Sequence, residues 1–402
     1  MRYFIITYGC QMNISDSERI SGAMKRSGLK PAKSLEESDL AVINMCSVRR
    51  SASDRILGSL PKFKGKTTVL TGCILPKERR RFSKFFDYVL DIKELGEWPF
   101  SSFKEKDYFR IEPEYSSKFS ACIPIMTGCN NFCSYCAVPY TRGREISRPK
   151  KEIIKEAKTL VEKGFKEIWL LGQNVNSYKY EFSDLLRKIN TIPGKFWIRF
   201  TSSHPKDFSE DLIKTMKECS KITPYLNLPV QSGDSNVLKR MNRPYTIKKY
   251  KEIVKKIRKE IPEISISTDV IVGFCGETKK EFENTKKLFK EIKYDMAYIN
   301  KYSERPGTES AEKMKDDISK KEKSRREKEL NEILKETALK NNKKYEGKTI
   351  EVLISEFRKG FLYGKSKNYK TVRIEGSEEM VGSFRQVKIK RALSWGLEGI
   401  LK

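Results

Sequence analysis

No apolar run in the 402 residues reaches the length needed to cross a bilayer, so a membrane-spanning chain is not expected. The opening MRYFIITYGC has too short an apolar stretch, and no small-residue cleavage site, to serve as a secretory signal. The expectation is a cytoplasmic protein with no membrane partner. Histidine is almost missing, His204 being the only one. Acidic residues are in deficit: 53 Asp and Glu face 82 Lys and Arg, a formal net charge of +29. That surplus favours a polyanion, because each neutralised phosphate releases counterions, though it does not separate DNA from RNA. A lysine-rich chain that only solvates its helix faces gives the same count. Nine cysteines in a cytoplasmic chain argue poorly for disulfides, and where they cluster metal binding is the better expectation.

The length allows two or three domains, and 38% hydrophobic with 34% charged residues reads as globular. From residue 1 to about 100, the runs RYFIITYGC, DLAVINMC and KTTVLTGC alternate with helical patterns, which predicts an α/β domain on a doubly wound parallel sheet. From about 120 to 310 six strand candidates recur: ACIPIMTG, EIWLLGQN, KFWIRFTSS, YLNLPVQSG, SISTDVIVGF and MAYINKYSE. Six β/α units predict a partial, open barrel, since closure normally takes eight. A highly charged helix over 312–343 forms a boundary. Beyond it, TIEVLIS, FLYGKSK, KTVRIEG, SFRQVKIKRAL and GLEGILK follow without helices, as in a small antiparallel barrel of OB-like shape.

MTGCNNFCSYC places Cys129, Cys133 and Cys136 in a C-x3-C-x2-C run. A structural zinc site normally presents four close ligands, and no fourth is nearby: His204 lies at another strand end and Cys122 upstream in a strand. Three thiolates around a four-iron cube leave one iron open to an exogenous molecule. A second trio is scattered in sequence. Cys10, Cys46 and Cys73 each close an apolar run read as a strand. Parallel strands lie about 4.8 Å apart, so three carboxyl ends can converge within about 10 Å, at the edge where open α/β sheets bind ligands. Either these are ordinary buried thiols, or they hold a second cluster with an open iron. Of the rest, Cys122 and Cys219 read as core or boundary residues, and Cys275, at a strand end facing the expected site, is assigned no role.

The three-cysteine run resembles that of the radical S-adenosylmethionine (SAM) enzymes. Together the two trios, the partial barrel and the C-terminal β module resemble the methylthiotransferases over essentially the whole chain. The resemblance implies three domains: 1–112 with an auxiliary cluster, 115–342 as the radical SAM barrel, and 343–402 as a TRAM domain. YGCQMNISDSER (8–19), NMCSVRRSASDR (44–55), GCNNFCSYCAVPYTRGREISR (128–148), TSSHP (201–205) and LPVQSG (228–233) resemble the MiaB branch. That branch modifies N6-isopentenyladenosine at tRNA position 37, beside the anticodon. Sister branches act on threonylcarbamoyl-adenosine or on an aspartate of a ribosomal protein. Cys275, Glu304 and Met45 depart from the usual pattern but remove no cluster ligand.

The implied cofactors are two [4Fe–4S] clusters and SAM. By the same resemblance, SAM methylates a sulfur on the cluster of Cys10, Cys46 and Cys73. A second SAM, on that of Cys129, Cys133 and Cys136, gives the radical that takes hydrogen from C2 of adenine. The implied partners are the tRNA anticodon stem-loop and an electron donor such as flavodoxin or ferredoxin, with the chain a monomer. Strand-end residues Gly172, Gln173, Asn174, Gln231, Ser232 and Gly273 are expected around SAM, where glycine lets backbone approach closely; the polar ones could equally cap the next helix. Arg142, Arg144 and Arg148, with the segment FRQVKIKR, are the expected RNA contacts, with a pairing of Arg148 to Glu145 as the alternative. His204 before Pro205 reads as a turn residue. A rival class is an RNA-binding iron–sulfur protein without turnover, which fully ligated clusters would favour and two incomplete trios oppose.

Overall fold

The protein is described by a computed structural model over residues 1–46, 50–100, 105 and 107–402, with only the backbone course given for 50–52. Residues 47–49, inside the NMCSVRRSASDR signature, lie outside the described residues.

Five parallel strands open the chain: β1 (Arg2–Tyr8), β2 (Lys30–Pro31), β3 (Leu40–Cys46), β4 (Thr67–Cys73) and β5 (Tyr88–Val89), in the order β2-β1-β3-β4-β5. Helices α1 (Gln11–Arg26), α2 (Arg50–Ser59) and α3 (Pro76–Phe82) connect them. Strand pleating sends alternate side chains to opposite faces, so the continuous apolar run of β3 feeds two cores. Leu40 and Val42 pack with Ile20 and Met24 of α1, while Ala41, Ile43 and Met45 pack with Ile56 of α2 and Phe82 of α3. This is the doubly wound sheet the alternation predicted.

The second unit starts with β6 (Ser120–Pro124). Next comes a two-stranded antiparallel hairpin, β7 (Met126–Thr127) with β8 (Ile146–Ser147), which brackets the Cys129–Cys136 loop and the short helix α4 (Val138–Thr141). Helix α5 (Lys150–Glu162) leads to β9 (Glu167–Leu171), α6 (Phe182–Asn190) to β10 (Trp197–Phe200), and α7 (Glu210–Glu218) to β11 (Tyr225–Asn227). After α8 (Ser235–Arg240) and α9 (Ile247–Glu260) come β12 (Ser265–Val272), α10 (Lys279–Ile292) and β13 (Met296–Lys301). The ladder runs β6-β9-β10 and β11-β12-β13, and the bridge between Ile198 and Ile222 joins the two parts. Six parallel strands in chain order give the open partial barrel.

Helix α11 (Glu309–Lys313) precedes α12 (Lys320–Lys343), whose charged sequence hides a narrow buried stripe of Leu330, Leu334 and Ala338. Strands β14 (Thr349–Arg358), β15 (Phe361–Ser366), β16 (Thr371–Glu375), β17 (Phe384–Leu393) and β18 (Gly396–Leu401) then close a barrel in the order β14-β15-β16-β18-β17. The β16–β18 pairing is parallel and the other pairings are antiparallel, a correction to the all-antiparallel expectation. Along β17, Val387 and Ile389 turn inward while Arg385, Lys388, Lys390 and Arg391 face solvent.

Candidate functional site

A single cavity of about 620 Å³ is lined by Cys10, Cys46 and Cys73 and by Cys129, Cys133 and Cys136. Both trios therefore face one space.

The first trio is assembled by strand ends. Cys46 and Cys73 are register partners at the close of β3 and β4, and Cys10 caps the start of α1 just after β1. Two asparagines fix Cys10 against this edge. Asn13 accepts from the Cys10 backbone N–H (3.2 Å) and from its thiol (3.4 Å), while its Nδ2 donates to Asn44 Oδ1 (3.0 Å) and to the Met45 carbonyl (3.2 Å). Asn44 Nδ2 returns a bond to the Asn13 carbonyl at 2.8 Å. Gly72 has φ of +103°, and a Cβ there would sit 2.3 Å from the Met45 carbonyl oxygen, so glycine is what lets β4 bring Cys73 beside Cys46.

The second trio sits in the loop between β7 and α4. Gly128, at φ of +77° with no room for a Cβ against the Arg144 carbonyl, turns the chain into it. Ser134 donates through its N–H to the Met241 carbonyl (3.1 Å) and through its hydroxyl to the Arg240 carbonyl (2.9 Å). Asn242 Nδ2 donates to the Phe132 carbonyl at 2.7 Å. The loop is thus pinned to the end of α8.

Each trio has a buried arginine aimed at sulfur. Arg142 donates Nε–H to Cys73 Sγ (3.0 Å) and pairs with Asp16 (2.6 Å). Arg243 reaches Cys133 Sγ at 3.7 Å and also donates to Tyr245 Oη at 2.9 Å. The Cys73 thiol is drawn below the ordinary range by a hydrogen bond with Cys46 and by the Arg142 charge, against the opposing effect of burial. Burial pushes the Cys10 and Cys129 thiols up, and Cys136 up to about 12. An iron centre reverses that logic, since a coordinating thiol is deprotonated.

Among the described residues, no group of three or more His, Cys, Asp or Glu converges on one metal ion. The donor set fits a cube instead, whose separate irons each take one thiolate and so keep the sulfurs further apart than a single ion does. A polar ligand fits too. Gln173 Oε1, Ser203 Oγ and His204 Nε2, all on residues lining the cavity, are buried with no hydrogen-bond partner among the described residues. Each such atom costs about 1–3 kcal/mol until something pairs with it.

Of the residues expected around SAM, Gly172, Gln173 and Gln231 line the cavity. The other three do not. Asn174 Nδ2 donates to Asp207 at 2.7 Å, Ser232 Oγ accepts from the Asp234 N–H at 3.2 Å, and Gly273 donates its N–H to Glu277 at 2.6 Å beside Lys323. Ser232 and Gly273 serve local structure, the alternative raised for strand-end residues, and Asn174 does so through Nδ2 while its Oδ1 is buried without a hydrogen-bond partner among the described residues. Cys275 also turns away from the cavity, into an apolar cluster with Phe274 and Tyr302.

The arginine expectations are corrected similarly. Arg142 is buried in the cavity wall, and Arg148 is buried in an ion-pair network with Glu152 (3.4 Å) and Glu156, not with Glu145. Neither can meet an RNA phosphate from these positions. Arg144 is exposed, its guanidinium 4.5 Å from the Phe132 ring centroid.

His204 is more than a turn residue. Its Nδ1 accepts the Lys206 N–H at 3.2 Å, so the neutral ring carries its proton on Nε2. Burial, with Arg243 and Lys206 nearby, lowers its pKa to about 2. The sequence signal for it was its uniqueness within TSSHP. Arg243, Trp169, Tyr225 and Tyr369 also line the cavity, and no local motif singled them out.

A profile of the radical SAM superfamily matches residues 123–289, the uncharacterized protein family UPF0004 matches 2–91, and the TRAM domain matches 343–402. The chain is 40% identical over 434 residues to a protein of Clostridium botulinum (strain Loch Maree / Type A3) named tRNA-2-methylthio-N(6)-dimethylallyladenosine synthase, covering 99% of this chain and 96% of that one. Its similarity to the protein of the same name from Clostridium novyi (strain NT) is 41% over 438 residues, covering 99% and 96%. Among solved structures, the radical S-adenosylmethionine methyltransferase TsrM from Kitasatospora setae, with cobalamin and a [4Fe-4S] cluster bound, aligns with a TM-score of 0.55 at 13% identity over 77% of both chains. That last likeness concerns the fold alone.

Proposed function

Because the chain belongs to the radical SAM tRNA methylthiotransferases, we propose that it converts N6-dimethylallyladenosine at tRNA position 37 to the 2-methylthio derivative. The family implies one [4Fe–4S] cluster with SAM, and a tRNA substrate. Our reading assigns that cluster to Cys129, Cys133 and Cys136, and a second, auxiliary cluster to Cys10, Cys46 and Cys73. The observation that carries it is that all six thiols line one cavity.

When bound, the two clusters and SAM supply an electron for SAM cleavage and a site for the sulfur that is transferred. The chain's own residues prepare the space. Arg142 places positive charge beside Cys73, which favours its thiolate, and Arg243 lies beside Cys133. Gln173, Ser203 and neutral His204 offer one acceptor, one hydroxyl and one N–H to SAM. Arg144 on its Phe132 platform, and the exposed basic face of β17, meet the RNA. Domain limits of 1–112, 115–342 and 343–402 divide these tasks, and a reduced flavodoxin or ferredoxin is the fitting electron donor.

The test is anaerobic reconstitution followed by assay on an anticodon stem-loop RNA carrying dimethylallyladenosine. The 2-methylthio nucleoside should appear by mass spectrometry, and replacing Cys10, Cys46 and Cys73 together by alanine should halve the bound iron. Turnover of the RNA by a form holding a single cluster would overturn the reading.

A further inference from the structure

One stretch of the cavity wall is apolar and built from three parts of the chain. Met12 comes from α1, Trp169 and Leu171 from β9, Tyr225 from β11, and Tyr369 from the C-terminal barrel. The rings touch: Tyr225 and Tyr369 have centroids 4.5 Å apart, and Trp169 and Tyr369 meet edge-on at 5.2 Å. Tyr369 is the distant contributor, 144 residues beyond Tyr225 in the chain, yet it is held firmly.

Its hold is specific. Arg199, fully buried in the barrel, donates to the Ser366 carbonyl (2.8 Å) and the Lys367 carbonyl (2.9 Å) while paired with Glu167 at 2.6 Å. Asn368 Nδ2 donates to the Glu263 carbonyl (2.6 Å), and Lys370 pairs with Asp295 at 2.6 Å. The turn so anchored leaves Tyr369 at φ of +62°, a left-handed conformation that a bulky residue adopts only when its surroundings impose it. The guanidinium of Arg199 lies 5.1 Å from the Tyr369 ring centroid, and the Lys365 ammonium 4.6 Å from it.

We propose that Tyr369, with Trp169, Tyr225 and Met12, forms the subsite that takes the branched five-carbon N6 substituent of the substrate adenine, making Tyr369 a specificity-determining residue supplied by the TRAM domain. This deepens the proposed function and rests on it. None of these wall residues carries a charge, and the arginines lining the cavity, Arg142 and Arg243, face cysteine sulfurs. An alkenyl chain gains by leaving water against such a wall, whereas a threonylcarbamoyl group would bring a carboxylate that the wall's own side chains do not pair, since Arg199 and Lys365 contact the Tyr369 ring without lining the cavity.

The experiment measures affinities of the reconstituted, SAM-loaded protein for two anticodon stem-loop RNAs that differ only in the dimethylallyl group. The wild-type chain should prefer the prenylated RNA by roughly 10- to 100-fold. Tyr369→Ser should collapse that preference while Tyr369→Phe keeps it. A misfolded variant would weaken both RNAs alike, so the ratio reports the subsite and Tyr369→Leu, apolar but smaller, gives an intermediate ratio if Tyr369→Ser fails to fold. An unchanged ratio in Tyr369→Ser or Tyr369→Leu, or no preference in the wild type, overturns the proposal. Failure of the wild type to methylthiolate the prenylated RNA at all would instead count against the proposed function.

Discussion

Cys46 and Cys73 stand opposite each other as the last register pair of β3 and β4, although 26 residues separate them in the chain. Parallel pairing makes them neighbours, and their sheet edge opens on the cavity that Cys129, Cys133 and Cys136 also line.

Replacing one partner separates the two roles. Cys46→Ala should leave SAM cleavage to 5'-deoxyadenosine intact and abolish sulfur insertion. Chromatography of the nucleoside products checks both at once, and retained methylthiolation would refute the auxiliary role.

Arg142 is expected to matter for stability as well as for sulfur. Arg142→Ala strands Asp16, whose side chain is fully buried and, among the described residues, is left with the Tyr108 hydroxyl at 2.6 Å. Breaking a buried pair from one side costs about 3–5 kcal/mol. Denaturant unfolding should show a loss of that size, and Asp16→Asn in the same chain should recover part of it.

Arg199 should govern how the C-terminal barrel is seated. Arg199→Met removes the donors to the Ser366 and Lys367 carbonyls and leaves Glu167 without its ion partner. The expected result is faster proteolysis between α12 and β14, with Tyr369 no longer held in the cavity wall. Wild-type cleavage kinetics in the variant would contradict this.

His204 sets a pH dependence of stability. Its pKa is about 2 in the folded chain and near the ordinary value of about 6.5 when unfolded, so the unfolded state binds the extra proton between those limits. Stability therefore falls as pH drops below about 6.5, by up to about 1.4 kcal/mol per unit from this group. Unfolding at pH 6.5 and 5.5 should show a smaller loss in His204→Asn than in the wild type.

Period and strand-end position made the sheet, the six-strand barrel and the cysteine-bearing strand ends legible, because an apolar run read as a strand already fixes where its last residue lies. They could not say which way a strand-end polar group turns. Asn174 and Ser232 bond locally, while Gln173 and Gln231, next to them in sequence, face the cavity. Charge was similarly ambiguous: YTRGREISR reads as basic, yet Arg142 and Arg148 are consumed by Asp16 and Glu156 from other elements. Tyr369 was out of reach, since its place follows from docking of one domain on another.

The proposed function requires two clusters, each held by three cysteines, to open on one chamber. Anomalous diffraction at the iron edge, from anaerobically reconstituted crystals, tests it most directly. It should show two iron centres in the same cavity, one beside Cys10, Cys46 and Cys73 and the other beside Cys129, Cys133 and Cys136. A single centre, or two opening on different surfaces, would contradict the account.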